Sequence, residues 1–467
     1  MKKSVCIALV VIVVSGLFSL AGCDENAVKN TFYDIRCEYF DTGVVTFDEQ
    51  VTFTSPCDGL NEAVFNVYAL NSAKKGEGFD GGEYGCVRFL AVTAGGGEAG
   101  YTVSDESVKI RLKKTYSSGE KVNVRLKMAV TLPYGDDRYS LTDGTVNLGN
   151  VFPTLAVYDG EKFVFTKSVG YGDPFFTDVA DYHVEMTLPS TFVAAASAYP
   201  RSLDVGEDKT RYIYDIKGVR DFAFALSNKY NVKSEKWGDK SINYYYYADD
   251  TPEETVLTAV KCLEYFSDAF GAYPYDVYSI AQTAFSAGGM EYPLLCYLND
   301  KLSKKDYLYA LVHETAHQWW YAVVGNDQIS ESYLDESLAE YSTYLFFDEH
   351  TEYGINGNDV IKGALSAANV CENAVLANDK DFIPAVKGTL ESFKSEYIYV
   401  NMVYNKGLIM MRSAEKAVGR NKIKNALKKY YAKNAFKKAD TEEFLSCMGE
   451  AAPVVRSFLD GKTRVFI

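Results

Sequence analysis

Two histidines spaced four residues apart, His313 and His317, lie within an apolar segment, and Glu314 follows the first of them. The apolar residues at 308–312 and the tryptophan pair at 319–320 predict a helix here, and residues four apart share one face of a helix. Both imidazoles can therefore bind one metal ion. Glu314 lies one step around the helix, where it can hold a water molecule beside the ion. The pattern indicates metal-assisted hydrolysis.

A catalytic zinc ion usually takes three protein ligands and keeps one position open. The chain contains four histidines, and the other two, His183 and His350, have no matching context. A carboxylate is therefore the expected third ligand. Glu336, separated from His317 by eighteen residues, is the candidate, because a turn at 325–327 predicts two antiparallel helices. A short motif can arise by chance in a helix, but the three features together predict a site for one Zn²⁺.

These residues lie in the second of two halves with different periodicity. From about 24 to 240 the chain consists of short β-branched and alternating runs, such as 122–130 and 182–188, separated by glycine-rich breaks. We therefore predict an α+β multidomain protein with an N-terminal β-sheet domain over 23–240, resembling a saddle or sandwich, and a mainly helical domain over 241–467. In the second half the sequence predicts a strand at 277–285 and helices at about 251–270, 304–323, 332–349, 357–377, 397–418, 421–434 and 440–449.

The N-terminus has the composition of a targeting segment. Lys2 and Lys3 precede an apolar run at 5–20, which is short for a membrane-spanning helix. Leu20-Ala21-Gly22-Cys23 follows and resembles a bacterial lipobox, which implies cleavage before Cys23 and a diacylglyceryl group on its sulfur. We therefore predict a signal peptide at 1–22 and a lipid-anchored protein of the bacterial cell envelope, outside the cytoplasm. A plain secretory signal with a chance cysteine is the alternative.

Charge and cysteine content exclude several other functions. The hydrophobic fraction of 47% indicates a folded protein, and a net charge of −15 argues against nucleic acid as a partner. Seven cysteines remain apart from Cys6 and Cys23, and no two are spaced as CxxC, so a thiolate zinc cluster is not expected. An odd number leaves at least one thiol free.

The motifs resemble those of the gluzincin zinc aminopeptidases, the family of aminopeptidase N and the leukotriene hydrolases. That family combines HExxH, an eighteen-residue spacer and a glutamate with an upstream GxMEN segment and a downstream Tyr-x-Lys-Gly element. The corresponding residues here are His313 to His317, Glu336, Gly288-Gly289-Met290-Glu291-Tyr292 and Tyr404-Asn405-Lys406-Gly407. The segments 147–153 and 172–175 resemble the N-terminal sheet domain of bacterial members.

The resemblance implies a thermolysin-like catalytic domain acting on peptide substrates. In it, His313, His317 and Glu336 would hold one Zn²⁺, and Glu314 would be the general base. Tyr404 would donate its hydroxyl to the tetrahedral oxyanion. The 288–291 segment would bind substrate, with Gly288, Gly289 and Met290 along its backbone and Glu291 paired with its α-ammonium group.

Two departures from the family pattern leave alternatives open. Tyr292 replaces the asparagine of GxMEN, and the sequence does not identify the acidic or amide residue that many members contribute from their N-terminal domain. A zinc endopeptidase of the same fold is therefore one alternative to an aminopeptidase. A catalytically silent, peptide-binding surface lipoprotein is another, although every catalytic residue named above is present.

Overall fold

The computed structural model describes residues 31–71, 87–165 and 167–466. The expected signal peptide at 1–22 and Cys23 lie outside these residues. Within the described ranges, no helix is long and apolar enough to cross a membrane. The six cysteines of the described chain are all free thiols.

The first half of the chain is built from three β-sheets, as the alternating sequence predicts. Its strands are β1 (Phe32–Phe40), β2 (Val44–Thr54), β3 (Leu60–Asn66), β4 (Val87–Ala94), β5 (Gly97–Glu98), β6 (Tyr101–Ser104), β7 (Ser107–Tyr116), β8 (Lys121–Thr131), β9 (Tyr139–Leu141), β10 (Val146–Leu148), β11 (Thr154–Leu155), β12 (Ala180–Pro189), β13 (Val193–Ala196), β14 (Ser202–Val205), β15 (Lys209–Val219) and β16 (Phe224–Ser227). An eight-stranded sheet has the order β14-β15-β12-β1-β2-β8-β4-β5. Two four-stranded sheets have the orders β13-β16-β10-β9 and β11-β3-β7-β6. Strand β8 illustrates why the sequence alternates between apolar and polar residues. Val122, Val124 and Leu126 are buried on one face of the sheet, while the residues between them are exposed on the other.

The second half begins with a five-stranded sheet. Its strands are β17 (Asn231–Trp237), β18 (Lys240–Tyr246), β19 (Val277–Thr283), β20 (Gly289–Met290) and β21 (Leu295–Asn299), in the order β17-β18-β19-β21-β20. Strands β18 and β19 are parallel, and helix α1 (Pro252–Phe270) connects them. This sheet spans the expected domain boundary between 240 and 241. The short strand β20 forms its outer edge.

Helices make up most of the remaining chain, which confirms the α+β prediction. They are α2 (Lys304–Ala316), α3 (Glu336–Glu349), α4 (Gly357–Asn378), α5 (Glu396–Val400), α6 (Gly407–Val418), α7 (Arg420–Asn434), α8 (Thr441–Met448) and α9 (Ala452–Leu459). A π-helical turn at Asn401–Lys406 joins α5 to α6.

Helix α2 is shorter than the predicted 304–323. It ends at Ala316, and the chain turns back through residues 317–324, where Tyr321 has a φ of 115°. Likewise, the predicted helix at 332–349 is a 3₁₀ turn at Ser332–Leu334 followed by α3, whose N-cap is Asp335. The apolar residues that suggested longer helices are buried by tertiary packing instead.

Arg220 joins the two halves of the molecule just behind this segment. Its side chain is fully buried, and its Nε donates to the carbonyl of Tyr321 at 2.9 Å. Its Nη1 donates to the carbonyl of Thr177 at 2.9 Å, and its Nη2 donates to that of Val323 at 3.3 Å. A Cβ atom at Gly325 would lie 2.1 Å from the Arg220 Cζ, so glycine is required there. The β-sheet half therefore supports the loop that follows the second histidine.

Candidate metal centre and active site

Helices α2 and α3 bring the three expected metal ligands together. His313 lies in the last turn of α2, His317 is its C-cap, and Glu336 is the first residue of α3. The two Nε2 atoms are 3.0 Å apart, and each is 3.3 Å from Glu336 Oε2. All three side chains are buried.

The donor set fits a zinc ion. Ligands at the usual zinc distances of about 2.0–2.1 Å in a tetrahedron lie roughly 3.3 Å from one another, close to the observed separations. Two imidazole Nε2 atoms facing each other with a carboxylate oxygen beside them also match the nitrogen and oxygen donors that zinc prefers. His313, His317 and Glu336 can therefore hold one Zn²⁺.

The atoms behind the ligands orient the imidazoles. His317 Nδ1 lies 3.0 Å from the carbonyl oxygen of Trp320, to which it donates, so the lone pair is on Nε2. His313 Nδ1 lies 3.3 Å from Glu340 Oε1, and Tyr309 donates to the other oxygen of Glu340 at 2.6 Å. No sequence motif marks Glu340, although it lies one helical turn after Glu336.

Glu314 lies beside the metal ligands with its carboxylate held in a buried position. Burial raises the pKa of Glu314 to about 7, although His313 and His317 counteract this effect. Its Oε2 has no hydrogen-bond partner among the described residues. A Cβ atom at Gly289 would lie 2.5 Å from Glu314 Oε1, so this glycine allows β20 to approach the carboxylate closely. At Gly288 a Cβ atom would meet only the Ala310 Cβ, at an ordinary contact distance of 4.0 Å.

Tyr404 reaches the same centre from the π-helical turn. Its hydroxyl donates to Glu336 Oε1 at 2.5 Å, and its ring stacks on that of His313 with centroids 6.1 Å apart. Burial raises the pKa of Tyr404 well above its usual value, which keeps the phenol protonated and able to donate. A π-helical turn inserts one residue into a helix and is often found at functional sites.

A second group of carboxylates adjoins the metal ligands. Glu291 and Asp173 each place an oxygen within 4.8 Å of the other and of Glu336, and both are buried. Asp173 comes from the β-sheet half, where Arg138 forms an ion pair with it. Asp173 is thus an acidic residue of the N-terminal half at this site, and no sequence motif marks it. It lies in the 172–175 segment, but nothing in the spacing of that segment points to a site more than 100 residues further along the chain.

Met290 and Tyr292 flank Glu291 and face the β-sheet half. The Met290 sulfur accepts a hydrogen bond from Arg138 Nε at 3.4 Å. The Tyr292 ring is fully buried, packs edge-to-face on Tyr297 and points at Gly149, where a Cβ atom would lie 1.8 Å from its hydroxyl oxygen. Tyr292, which stands at the position of the family asparagine, therefore contributes to the contact between the two halves.

Comparison with known proteins gives a family match over the part of the chain that contains the three metal ligands. Residues 255–461 match the model of the peptidase family M1 domain. Aminopeptidase N of Haemonchus contortus is 25% identical over 223 residues, covering 44% of this chain and 22% of that protein. Human glutamyl aminopeptidase is 23% identical over 401 residues, covering 77% of this chain and 41% of that protein. The chain thus spans less than half the length of these two curated relatives.

Among solved structures, the M1 zinc metallopeptidase of Deinococcus radiodurans aligns over 94% of this chain and 96% of its own, with a TM-score of 0.69 and 18% identity. A mutant of that enzyme bound to a Tyr-Ser-Ala substrate aligns with a TM-score of 0.67 over the same shares, at 17% identity. These likenesses confirm the two-domain fold. The match of residues 255–461 to the peptidase family M1 domain confirms the resemblance predicted from the motifs.

Proposed function

We propose that the protein is a zinc-dependent aminopeptidase that removes residues from the N-termini of peptides. The observation that carries this proposal is the position of Asp173 and Glu291 immediately beside the metal ligands. Two buried carboxylates at that position can bind the α-ammonium group of a peptide. Binding there would place the first peptide bond at the metal centre.

The residues of the site have distinct tasks in this reaction. When bound, Zn²⁺ polarises the scissile carbonyl and lowers the pKa of water. Glu314 accepts the proton of the attacking water and passes it to the leaving amine, a role suited to a carboxylate with a pKa of about 7. Tyr404 donates its hydroxyl to the oxyanion and must exchange its hydrogen bond with Glu336 to do so.

The edge strand β20 supports an extended substrate. Among the described residues, β20 pairs with β21 alone, through Gly289 with Leu298 and Met290 with Tyr297, and lies at the end of the sheet order. A peptide can add to such an edge by main-chain hydrogen bonds. Glu291 directly follows β20, so a peptide lying along the strand would have its N-terminus near the carboxylate pair. The Tyr-Ser-Ala complex of the Deinococcus enzyme is consistent with such a substrate.

Paired peptides that differ only in N-acetylation test this proposal. A soluble form starting after Cys23, loaded with zinc, should release the first residue from the free peptides and leave the acetylated ones intact. Cleavage of both would make the protein a zinc endopeptidase. Cleavage of neither, with zinc bound, would support a catalytically silent peptide-binding protein.

We further propose that a diacylglyceryl group on Cys23 anchors the protein to the outer face of a bacterial cytoplasmic membrane or another envelope membrane. The lipobox-like Leu20-Ala21-Gly22-Cys23 supports this proposal. Expression in a bacterial host with a radiolabelled fatty acid should label the full chain and recover it with membranes. Cys23→Ser should lose the label; membrane recovery of an unlabelled wild-type chain would contradict the proposal.

A further inference from the structure

Gln328 is a buried residue that contacts Glu291 and the loop that carries Asp173. It lies between α2 and α3 and is 1% exposed. Its side-chain Nε2 donates to Glu291 Oε1 at 2.9 Å. Its backbone N–H donates to the carbonyl of Phe175 at 3.2 Å, and Phe175 lies two residues after Asp173. One residue thus links Glu291 of the catalytic half to the Asp173 loop of the β-sheet half.

The separation of Asp173 and Glu291 depends on such links because more than 100 residues of chain lie between them. Arg138 holds Asp173 from the β-sheet side through its ion pair. Gln328 holds Glu291 from the other side and is itself attached to the Asp173 loop. A change in the position of Gln328 would therefore move the two carboxylates relative to each other.

The amide is also the appropriate chemical group at this position. A carboxylate can only accept, so the amide nitrogen must face Glu291 and its N–H stabilises the charged form of that residue. A lysine or arginine here would neutralise Glu291 and compete with a substrate ammonium group. A glutamate would repel Glu291. A neutral donor orients the carboxylate and leaves its charge available to the substrate.

We propose that Gln328 is a positioning residue that sets the relative placement of Asp173 and Glu291, and thereby determines the preference for peptides with a free N-terminal amine. This inference rests on the proposed aminopeptidase function. Gln328 need not contact the substrate, since it acts through Glu291.

The test removes the side-chain link while keeping the backbone link. Gln328→Met retains the N–H that binds Phe175 but lacks the amide donor, and Gln328→Glu keeps the shape of the side chain but introduces repulsion. Gln282→Met is the matched control, because Gln282 is also a buried amide and its Oε1 accepts from the N–H groups of Tyr247 and Ala248 at 3.1 and 2.8 Å. Each variant is compared with wild type for zinc content and melting temperature.

Two readouts separate positioning from general stability. For a free peptide we expect both Gln328 variants to raise KM about tenfold or more, the effect typical of losing a hydrogen bond to a charged group, with kcat within about twofold. In a Glu314→Gln background, the dissociation constant of the free peptide should rise by a similar factor, while that of its N-acetyl analogue should not change. Gln282→Met should leave both quantities unchanged, even if its melting temperature falls.

If folded, zinc-loaded Gln328 variants keep the wild-type KM and discriminate between free and acetylated peptides as wild type does, the inference about Gln328 is overturned. The proposed aminopeptidase function would not be affected by that result. Equal loss in the Gln282 control would also overturn the inference about Gln328, because the effect would then be one of stability. If the wild-type protein itself does not discriminate between the two peptides, the proposed aminopeptidase function fails, and the inference fails with it.

Discussion

The metal centre and the carboxylate pair beside it are assembled in different ways. His313, His317 and Glu336 come from two successive helices within 24 residues of chain. Asp173 and Glu291 come from the two halves of the molecule and meet only at their interface. The first site depends on helical periodicity and one turn. The second depends on how an entire β-sheet half packs against the catalytic half.

This difference in assembly separates most of the residues proposed for hydrolysis from those proposed for substrate specificity. In the proposed reaction, the metal ligands and the general base Glu314 belong to the locally built site, whereas the carboxylates proposed to select a free amine belong to the site built across the interface. A change in packing between the halves could therefore alter which peptides are cleaved while the metal centre remains intact. Variants at each site should affect kcat and KM differently.

The largest effect is expected from Glu314→Gln, which alters the metal centre alone. The amide cannot accept the proton of water, so kcat should fall by roughly 10²–10⁴. Zinc content, measured by atomic absorption, should match wild type, because Glu314 is not a ligand in the His313–His317–Glu336 set. Substrate KM should change little, since Asp173 and Glu291 remain. Full activity in this variant would refute the general-base assignment.

Tyr404→Phe should have the next largest effect, again on kcat. Loss of one oxyanion donor typically lowers kcat by about 10²–10³. Tyr399→Phe is the matched control, because Tyr399 is buried in the same helical segment with its ring 5.7 Å from that of Tyr404. Steady-state kinetics should show little change in the control. Similar losses in both variants would indicate that packing of the segment, rather than the Tyr404 hydroxyl, is responsible.

Asp173→Asn should produce a smaller effect of a different kind. The loss of one of two carboxylates should raise KM for free peptides about tenfold, with kcat and zinc content nearly unchanged. The ratio of activity on free and acetylated peptides should fall by the same factor. Because Arg138 loses its ion-pair partner, the melting temperature should also be measured. An unchanged ratio in a folded variant would remove Asp173 from the amine site.

Gly149→Ala should have the smallest effect on catalysis and act on the interface itself. Its Cβ would lie 1.8 Å from the Tyr292 hydroxyl oxygen, so the free energy of unfolding should fall by about 1–3 kcal/mol. In a Tyr292→Leu background the same substitution should cost much less, which a double-mutant cycle by urea denaturation would show. A cost that does not depend on Tyr292 would contradict the assigned contact.

Sequence patterns alone predict the metal site, the sheet-forming strands and the division of the chain into two halves. The spacing of His313, His317 and Glu336 predicts a metal site because 3.6 residues per turn place two histidines on one face. The alternation in strands such as β8 predicts a sheet with one buried face. The change of period near residue 240 predicts two structurally different halves. The motifs around Glu291 and Tyr404 indicated candidate residues only through their resemblance to a family.

Only the tertiary structure decided the rest. Asp173 and Gln328 have no local pattern that marks them, because their partners are distant in sequence. Helix α2 ends at Ala316, and Arg220 from the other half of the molecule binds carbonyl groups of the turn that follows. Contacts of this kind depend on the relative placement of whole sheets and helices, whereas sequence periodicity describes only one element at a time.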